Sequence, residues 1–243
     1  MKNWRKKDSL WLPKLGNEKG FITILTGGVP VAGFDKTSLI SWWSLDEESG
    51  TRNDSHGTNH LTDVNTVEYA SGKKSNAARF VSSNAERLSC DSNTTLQMGQ
   101  EQDFSLLAWV YFDSLSVVHV MAKPGEYYLY TPNNGSFYFY NEVNEAAVAI
   151  PGGILSSTWY FIVGWYDAVN NRIGILVNNT YGQELSSAGR AVGTNALSLG
   201  GNTTWGGYLT GRIDEAAILK RLLTNDEKTW LYNDGAGRAY SEL

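Results

Sequence analysis

The chain carries one cysteine, Cys90, in 243 residues. That excludes a disulfide framework and a cysteine-built zinc site. Neither is needed, because a chain of this length buries roughly 70–75% of its unfolded surface. Positive charge is in short supply: 20 basic residues against 25 acidic ones leave a net charge of −5, which disfavours nucleic acid as a main partner. Long apolar runs are missing. Residues 21–34, FITILTGGVPVAGF, are broken by Gly27, Gly28 and Pro30 and are too short to span a bilayer. The basic start is not followed by the apolar stretch of a signal peptide. Neither membrane insertion nor a secretion leader is expected, so a virion-surface or extracellular location would be reached as part of a particle. No period marks internal repeats. No helical pattern separates the apolar runs, which argues against a parallel α/β sheet.

The charge that is present lies unevenly. Residues 1–20 hold Lys2, Arg5, Lys6, Lys7, Lys14 and Lys19 against Asp8 and Glu18, a net of +4, and the remainder is −9. Residues 1–37 are basic, then Gly- and Pro-rich, with one short strand-like piece at Ile22 and Ile24. Such a segment cannot build its own core. It reads either as a leader without fixed structure or as an arm docking on neighbouring subunits. The assembly arm is the expectation carried forward, with an oligomer or larger particle as its setting.

From Thr37 to about Leu223 the chain is short alternating runs between Gly, Asn, Asp and Ser turns, the pattern of an antiparallel sandwich. The expected strands are Leu39–Leu45, Ala77–Phe80, Arg87–Cys90, Phe104–Phe112, Val117–Ala122, Tyr127–Thr131, Ser136–Asn141, Ala146–Ile150, Trp159–Asp167, Arg172–Val177, Leu197–Leu199 and Tyr208–Ile213. Pro132-Asn133-Asn134-Gly135 and Asn170-Asn171 are hairpin chemistry, since Asn and Gly accept positive φ cheaply. A short helix is expected late, with Thr224 as N-cap, Glu227 at capping-box spacing and Asn233-Asp234-Gly235 as its end. Two stretches organise the rest. Ser41–His60, SWWSLDEESGTRNDSHGTNH, leads an apolar strand into the carboxylates Asp46, Glu47, Glu48 and Asp54. Gly206–Asp214, GGYLTGRID, is read as a strand closing on Asp214–Glu215. The two strands are expected side by side, with their acidic ends meeting.

The ordered series WWSLDEESG, NDSHGTNH, DFSLLAWVYF, TWYFIVGWYD, RIGILVNNT, LSLGG, GRIDEAAILKRLLTNDE and LYNDGAG resembles the laminin G-like, concanavalin A-like jelly-roll family over about Thr37 to Gly237. The resemblance implies an all-β, two-sheet antiparallel sandwich over residues 38–243, the arm lying outside it. The family includes lectins, carbohydrate modules of enzymes and structural proteins, some displayed on phage-like particles, so the fold alone does not choose among these roles.

Its members often hold calcium between the loop corresponding to residues 46–60 and the late strand. Calcium takes about 6–8 oxygen ligands, and Asp46, Asp54, Asn59 and Asp214 with the Gly57 carbonyl supply that mixture. The competing reading makes Asp54 and Asn59 Asx-turn residues and Asp214 a strand-end cap. His56 and His60 lie four apart, but the turn residues between them argue against a helical zinc pair, and His119 reads as a packed strand residue. The hairpin Tyr127-Tyr128-Leu129-Tyr130…Phe137-Tyr138-Phe139-Tyr140 loads both faces of its strands. One face fills the core. The other leaves either Tyr127, or Tyr128 and Tyr130, with Tyr138 and Tyr140 as companions, to stack on sugars, form an interface or lie under the arm. Trp205, among Gly and Thr, is a further sugar platform or a plug. Glycoside hydrolysis needs two carboxyls roughly 5–9.5 Å apart. The Glu-x-Asp-x-x-Glu spacing of the related glucanases is absent, as are Ser/His/Asp and phosphate-loop patterns. The expectation is a non-enzymatic structural or decoration protein of a virion, binding surface glycans where its tyrosines are free. The alternatives are a calcium-dependent carbohydrate-binding adhesin and, third, a glycan-active enzyme.

Overall fold

The computed structural model describes residues 33–132, 135–186, 192–202 and 204–243. Most of the expected arm, residues 1–32, lies outside them, as do Asn133 and Asn134 of the expected hairpin turn. In chain order the strands are β1 (Leu39–Trp43), β2 (Thr62–Val64), β3 (Glu68–Ser71), β4 (Asn76–Phe80), β5 (Arg87–Cys90), β6 (Phe104–Phe112), β7 (Val118–Lys123), β8 (Tyr127–Thr131) and β9 (Ser136–Tyr140). There follow β10 (Glu145–Ala149), β11 (Trp159–Asp167), β12 (Arg172–Val177), β13 (Thr180–Ser186), β14 (Leu197–Leu199), β15 (Gly211–Leu219) and the helix α1 (Asn225–Tyr232). They form two antiparallel sheets. One has eight strands in the order β13-β12-β11-β6-β15-β4-β3, with β1 also on β15; the other has seven, β10-β9-β8-β7-β14-β5-β2.

β6 shows why the sheets stack. Alternate side chains leave a strand on opposite faces. Phe104, Leu106, Ala108, Val110 and Phe112 go inward, against Phe137 and Phe139 of the second sheet. Leu107 and Trp109 leave the other face and enter a second core with Trp42, Phe161, Trp165 and Leu231 of α1. A strand apolar on both faces needs cover on both sides, and the C-terminal segment supplies it, Tyr232 stacking on Trp109 with ring centroids 5.9 Å apart. Phe34 is buried in the same core against Trp42. The eight-stranded sheet is thus covered twice.

α1 begins as expected. Thr224 Oγ1 accepts the Glu227 N–H at 3.2 Å and Glu227 Oε2 accepts the Thr224 N–H at 2.9 Å, satisfying two amides that no helical turn can reach. Glu227 also takes the Arg221 guanidinium at 2.6 Å. Asn233, at φ 48°, ends the helix.

β1 and β15 do pair, Leu39 opposite Leu219 and Trp43 opposite Ala216. The late strand needs correction, however. It starts at Gly211 and runs through Asp214–Glu215 to Leu219, with a bulge between Asp214 and Ala217 and Glu215 at φ 45°. Its second half, AAIL, is buried on both faces and so carries no alternation to mark it. β2, β3 and β13 were not anticipated; β2 and β3 are short edge strands with mostly exposed or half-buried residues. Among the described residues no helix is long and apolar enough to cross a membrane.

Candidate functional site

The β8–β9 hairpin resolves which tyrosines face outward. Tyr127, Leu129, Phe137 and Phe139 are buried in the inter-sheet core, so alternation sends Tyr128, Tyr130, Tyr138 and Tyr140 to the outer face of the seven-stranded sheet. There they form cross-strand ladders. His119, Tyr130 and Tyr138 stand directly opposite one another on β7, β8 and β9. Their neighbouring ring centroids lie 5.6 and 5.3 Å apart. Tyr128 faces Tyr140 in the next rank, 5.6 Å apart. On its other side Tyr128 opposes only the small Ala122, and Trp205 comes in from a loop to stack on it, 5.8 Å away and within 6° of parallel.

That loop is built to present the indole. Asn202 Oδ1 accepts the N–H groups of Thr204 and Trp205 at 2.7 and 3.1 Å, an Asx turn. Asn202 and Gly206 exchange backbone bonds of 2.7 and 3.0 Å. Gly207 follows at φ 65°, where a Cβ would lie 2.4 Å from His119 Nδ1. Glycine is therefore required for the loop to close over the histidine.

Trp205, Tyr128, Tyr130, Tyr140, His119 and Glu145 line a cavity of about 280 Å³. Four of the five ligand-binding residues expected from sequence are there, and Tyr138 backs Tyr130. His119 is buried, as anticipated, but it faces the cavity. Burial holds its imidazole below the ordinary value, and its Nδ1 bonds the Gly206 carbonyl at 3.3 Å. Two acidic residues were missed. The Tyr130 hydroxyl donates to Glu145 Oε1, and the Tyr128 hydroxyl to Glu142 Oε1, which also accepts the Gly125 N–H at 2.7 Å. Burial, then these carboxylate bonds, push both phenols above their ordinary value. The register Glu145 opposite Tyr140 was the signal that could have found Glu145.

The residues expected to bind calcium fall into two groups. Asp54 Oδ1 accepts the amides of Trp42, His56 and Gly57 at 3.0, 3.0 and 2.8 Å, and Oδ2 accepts Asn59 N–H at 3.0 Å. Asn59 Oδ1 accepts from Asn93 and Thr95 at 2.8 and 3.1 Å. His60 Nδ1 accepts the Asp54 amide, and His56 meets the Tyr240 hydroxyl at 3.1 Å. This loop is a self-satisfied turn, as in the Asx reading. Asp46 and Asp214 lie in the other group, with Glu215. Asp214 Oδ2 accepts the Lys73 and Lys74 amides at 2.7 and 2.8 Å, while Asp214 Oδ1 and Glu215 Oε1 are buried without a hydrogen-bond partner. Burial above all, then neighbouring acid groups, raises Asp214 to about 7 and Glu215 to about 9. The two orphan oxygens are hard-cation chemistry, but among the described residues no group of three or more acidic, histidine or cysteine side chains is placed to hold a metal. Asp46, Asp54 and Asp214 are thus not brought together into one such group.

A laminin G-type family model, described as the concanavalin A-like lectin/glucanases superfamily, matches residues 64–227. The chain belongs to this superfamily. No curated protein matches it. Among solved structures this concanavalin A-like sandwich is similar to the binding domain of Paraclostridial Mosquitocidal Protein 1, at 14% identity and a TM-score of 0.65 over 82% of this chain. It spans about half, 53%, of that chain. Domain 4 of the extracellular arabinanase of Geobacillus stearothermophilus, solved with arabinotriose, matches at 17% identity and a TM-score of 0.58, covering 83% of this chain and 98% of that one. The ligand-binding domain of botulinum neurotoxin serotype D, solved with N-acetylneuraminic acid, matches at 12% identity and a TM-score of 0.62, covering 81% and 50%. At such identities the likeness is one of fold.

Proposed function

We propose that this sandwich is a non-enzymatic carbohydrate-binding domain whose ligand lies against Trp205, Tyr128, Tyr130 and Tyr140. The observation that carries the reading is the convergence of stacked rings and a 62% exposed tryptophan around one cavity on the outer sheet face. Aromatic side chains held rigid at low entropy cost are what a polar, ring-shaped ligand needs for stacking. At about 280 Å³ the cavity is at the small end of ligand pockets, about 300–1,000 Å³, and suits a short piece of glycan. The tyrosine bonds to Glu142 and Glu145 support binding over hydrolysis, because those carboxylates act as fixed acceptors. A glycan array on the full chain tests the reading: binding to a defined glycan class is expected, lost in Trp205→Ala. A blank array, or equal binding by the variant, overturns it.

We further propose, from the basic composition of residues 1–37, that the N-terminal segment attaches the domain to a virion or other assembly. Its removal should stop at residue 32, since Phe34 belongs to the second core. Sedimentation of the truncated chain should then show a folded domain that has lost assembly; unchanged assembly would sink the idea.

A further inference from the structure

The polar groups around the cavity share one hydrogen-bonding sense. The Tyr130 hydroxyl spends its proton on Glu145 and the Tyr128 hydroxyl spends its own on Glu142; Tyr140 also bonds Glu142. Tyr130 and Tyr140 therefore present oxygen lone pairs toward a ligand, while the Tyr128 oxygen already accepts the Gly125 N–H at 3.1 Å. Glu145, on the exposed edge strand β10, adds a carboxylate, which only accepts. His119 Nδ1 faces a carbonyl and so carries the ring proton. In the neutral imidazole the other nitrogen, Nε2, is then an acceptor too. Among the described residues that line the cavity, Trp205 Nε1 is the one side-chain donor whose proton is not already spent, and none is a Lys or Arg. Around a hydroxyl-rich ring this arrangement takes up donated protons. Around a carboxylate, sulfate or phosphate it offers almost nothing, and the Glu142 and Glu145 charges repel it.

We infer that the cavity selects neutral or amino-bearing sugars, which donate hydrogen bonds, and rejects acidic ones such as uronates and sialic acids. This rests on the carbohydrate-binding reading and adds the ligand class to it. It also sets the chain apart from a relative of the same fold that was solved with N-acetylneuraminic acid.

The test is calorimetry on the full chain with four probes: a neutral hexose trisaccharide, a deacetylated chitosan trisaccharide, trigalacturonate and sialyllactose. Binding of the first two at least about tenfold tighter than the acidic pair is expected, with the gap narrowing at high salt. Glu145→Gln keeps an acceptor for Tyr130 and gains an N–H donor, so it should narrow the gap at low salt. Circular dichroism confirms its folding. Acidic sugars that bind as well as neutral ones overturn the selectivity and leave carbohydrate binding standing. Binding by none of the four, with a blank array, overturns both. If wild type discriminates and neither salt nor Glu145→Gln changes the ratio, the charge-and-donor argument is wrong.

Discussion

Glu215→Gln should make the protein more stable above neutral pH and leave it nearly unchanged at pH 5. Glu215 is 1% exposed, accepts the Trp42 indole N–H through Oε2 and has nothing at Oε1. Its carboxyl is held at about 9 against an ordinary 4.5. Between those values the folded chain keeps a proton that the unfolded chain has lost, so stability falls as pH rises, by about 1.4 kcal/mol per pH unit. Glutamine copies the protonated acid, with a carbonyl for Trp42 and an amide in place of the orphan oxygen. The variant's advantage therefore grows from near zero at pH 5 to as much as about 4 kcal/mol at pH 8, roughly 8–16 °C in Tm for a chain of this size. Lys228, held down at about 8 mainly by burial, acts in both proteins and cancels in the difference. Urea unfolding followed by tryptophan fluorescence from pH 5 to 8, in chelator, reads it directly. Parallel curves for wild type and variant would refute the argument. Repeating the series in calcium tests the cation expectation: a bound cation would neutralise the Asp214–Glu215 charges and remove the wild-type slope, and curves identical with and without calcium would end it.

Two other perturbations probe the packing. Phe34→Ala should cost about 3 kcal/mol by opening the second core beside Trp42, visible as a lower denaturant midpoint; a neutral result would mean that Phe34 is not part of that core. Gly207→Ala must place its Cβ 2.4 Å from His119 Nδ1 and hold φ 65°. It should displace the Trp205 loop and weaken glycan binding at least about tenfold while costing only about 1–2 kcal/mol of stability; full affinity in the array would show that the loop is not needed.

Much of the sandwich was legible because its strands keep their alternation or their turn chemistry. β6, β8, β11, β12 and β14 have the boundaries the pattern gives, and Thr224 with Glu227 announces α1. The first half of β15 was legible, but its second half was not: the bulge at Glu215, φ 45°, breaks the run after Ile213, and AAIL resumes beyond it with no polar residue to mark a face. Of the site, the aromatic residues were visible by type, but two possible faces remained until Tyr127 was seen in the core. Trp205 and Tyr128 meet across 77 residues of chain, which no local pattern encodes. The acidic loop misled in part: carboxylate, amide and carbonyl oxygens are the same groups whether they bind a cation or cap the amides of a turn, and at Asp54 they cap amides.

The double cover of the eight-stranded sheet bears on how the molecule can change. Most apolar side chains of its central strands belong to one core or the other, so substitutions there are held by packing. The outer face of the seven-stranded sheet answers to neither. A library randomised at Tyr130, Tyr138, Tyr140 and Glu145 would sample new recognition surfaces at small thermodynamic cost, whereas the same diversity in β6 or β15 would be lost to misfolding. The fold keeps its tolerance for variation on a single wall, which makes that wall a natural place for specificity to drift between related chains.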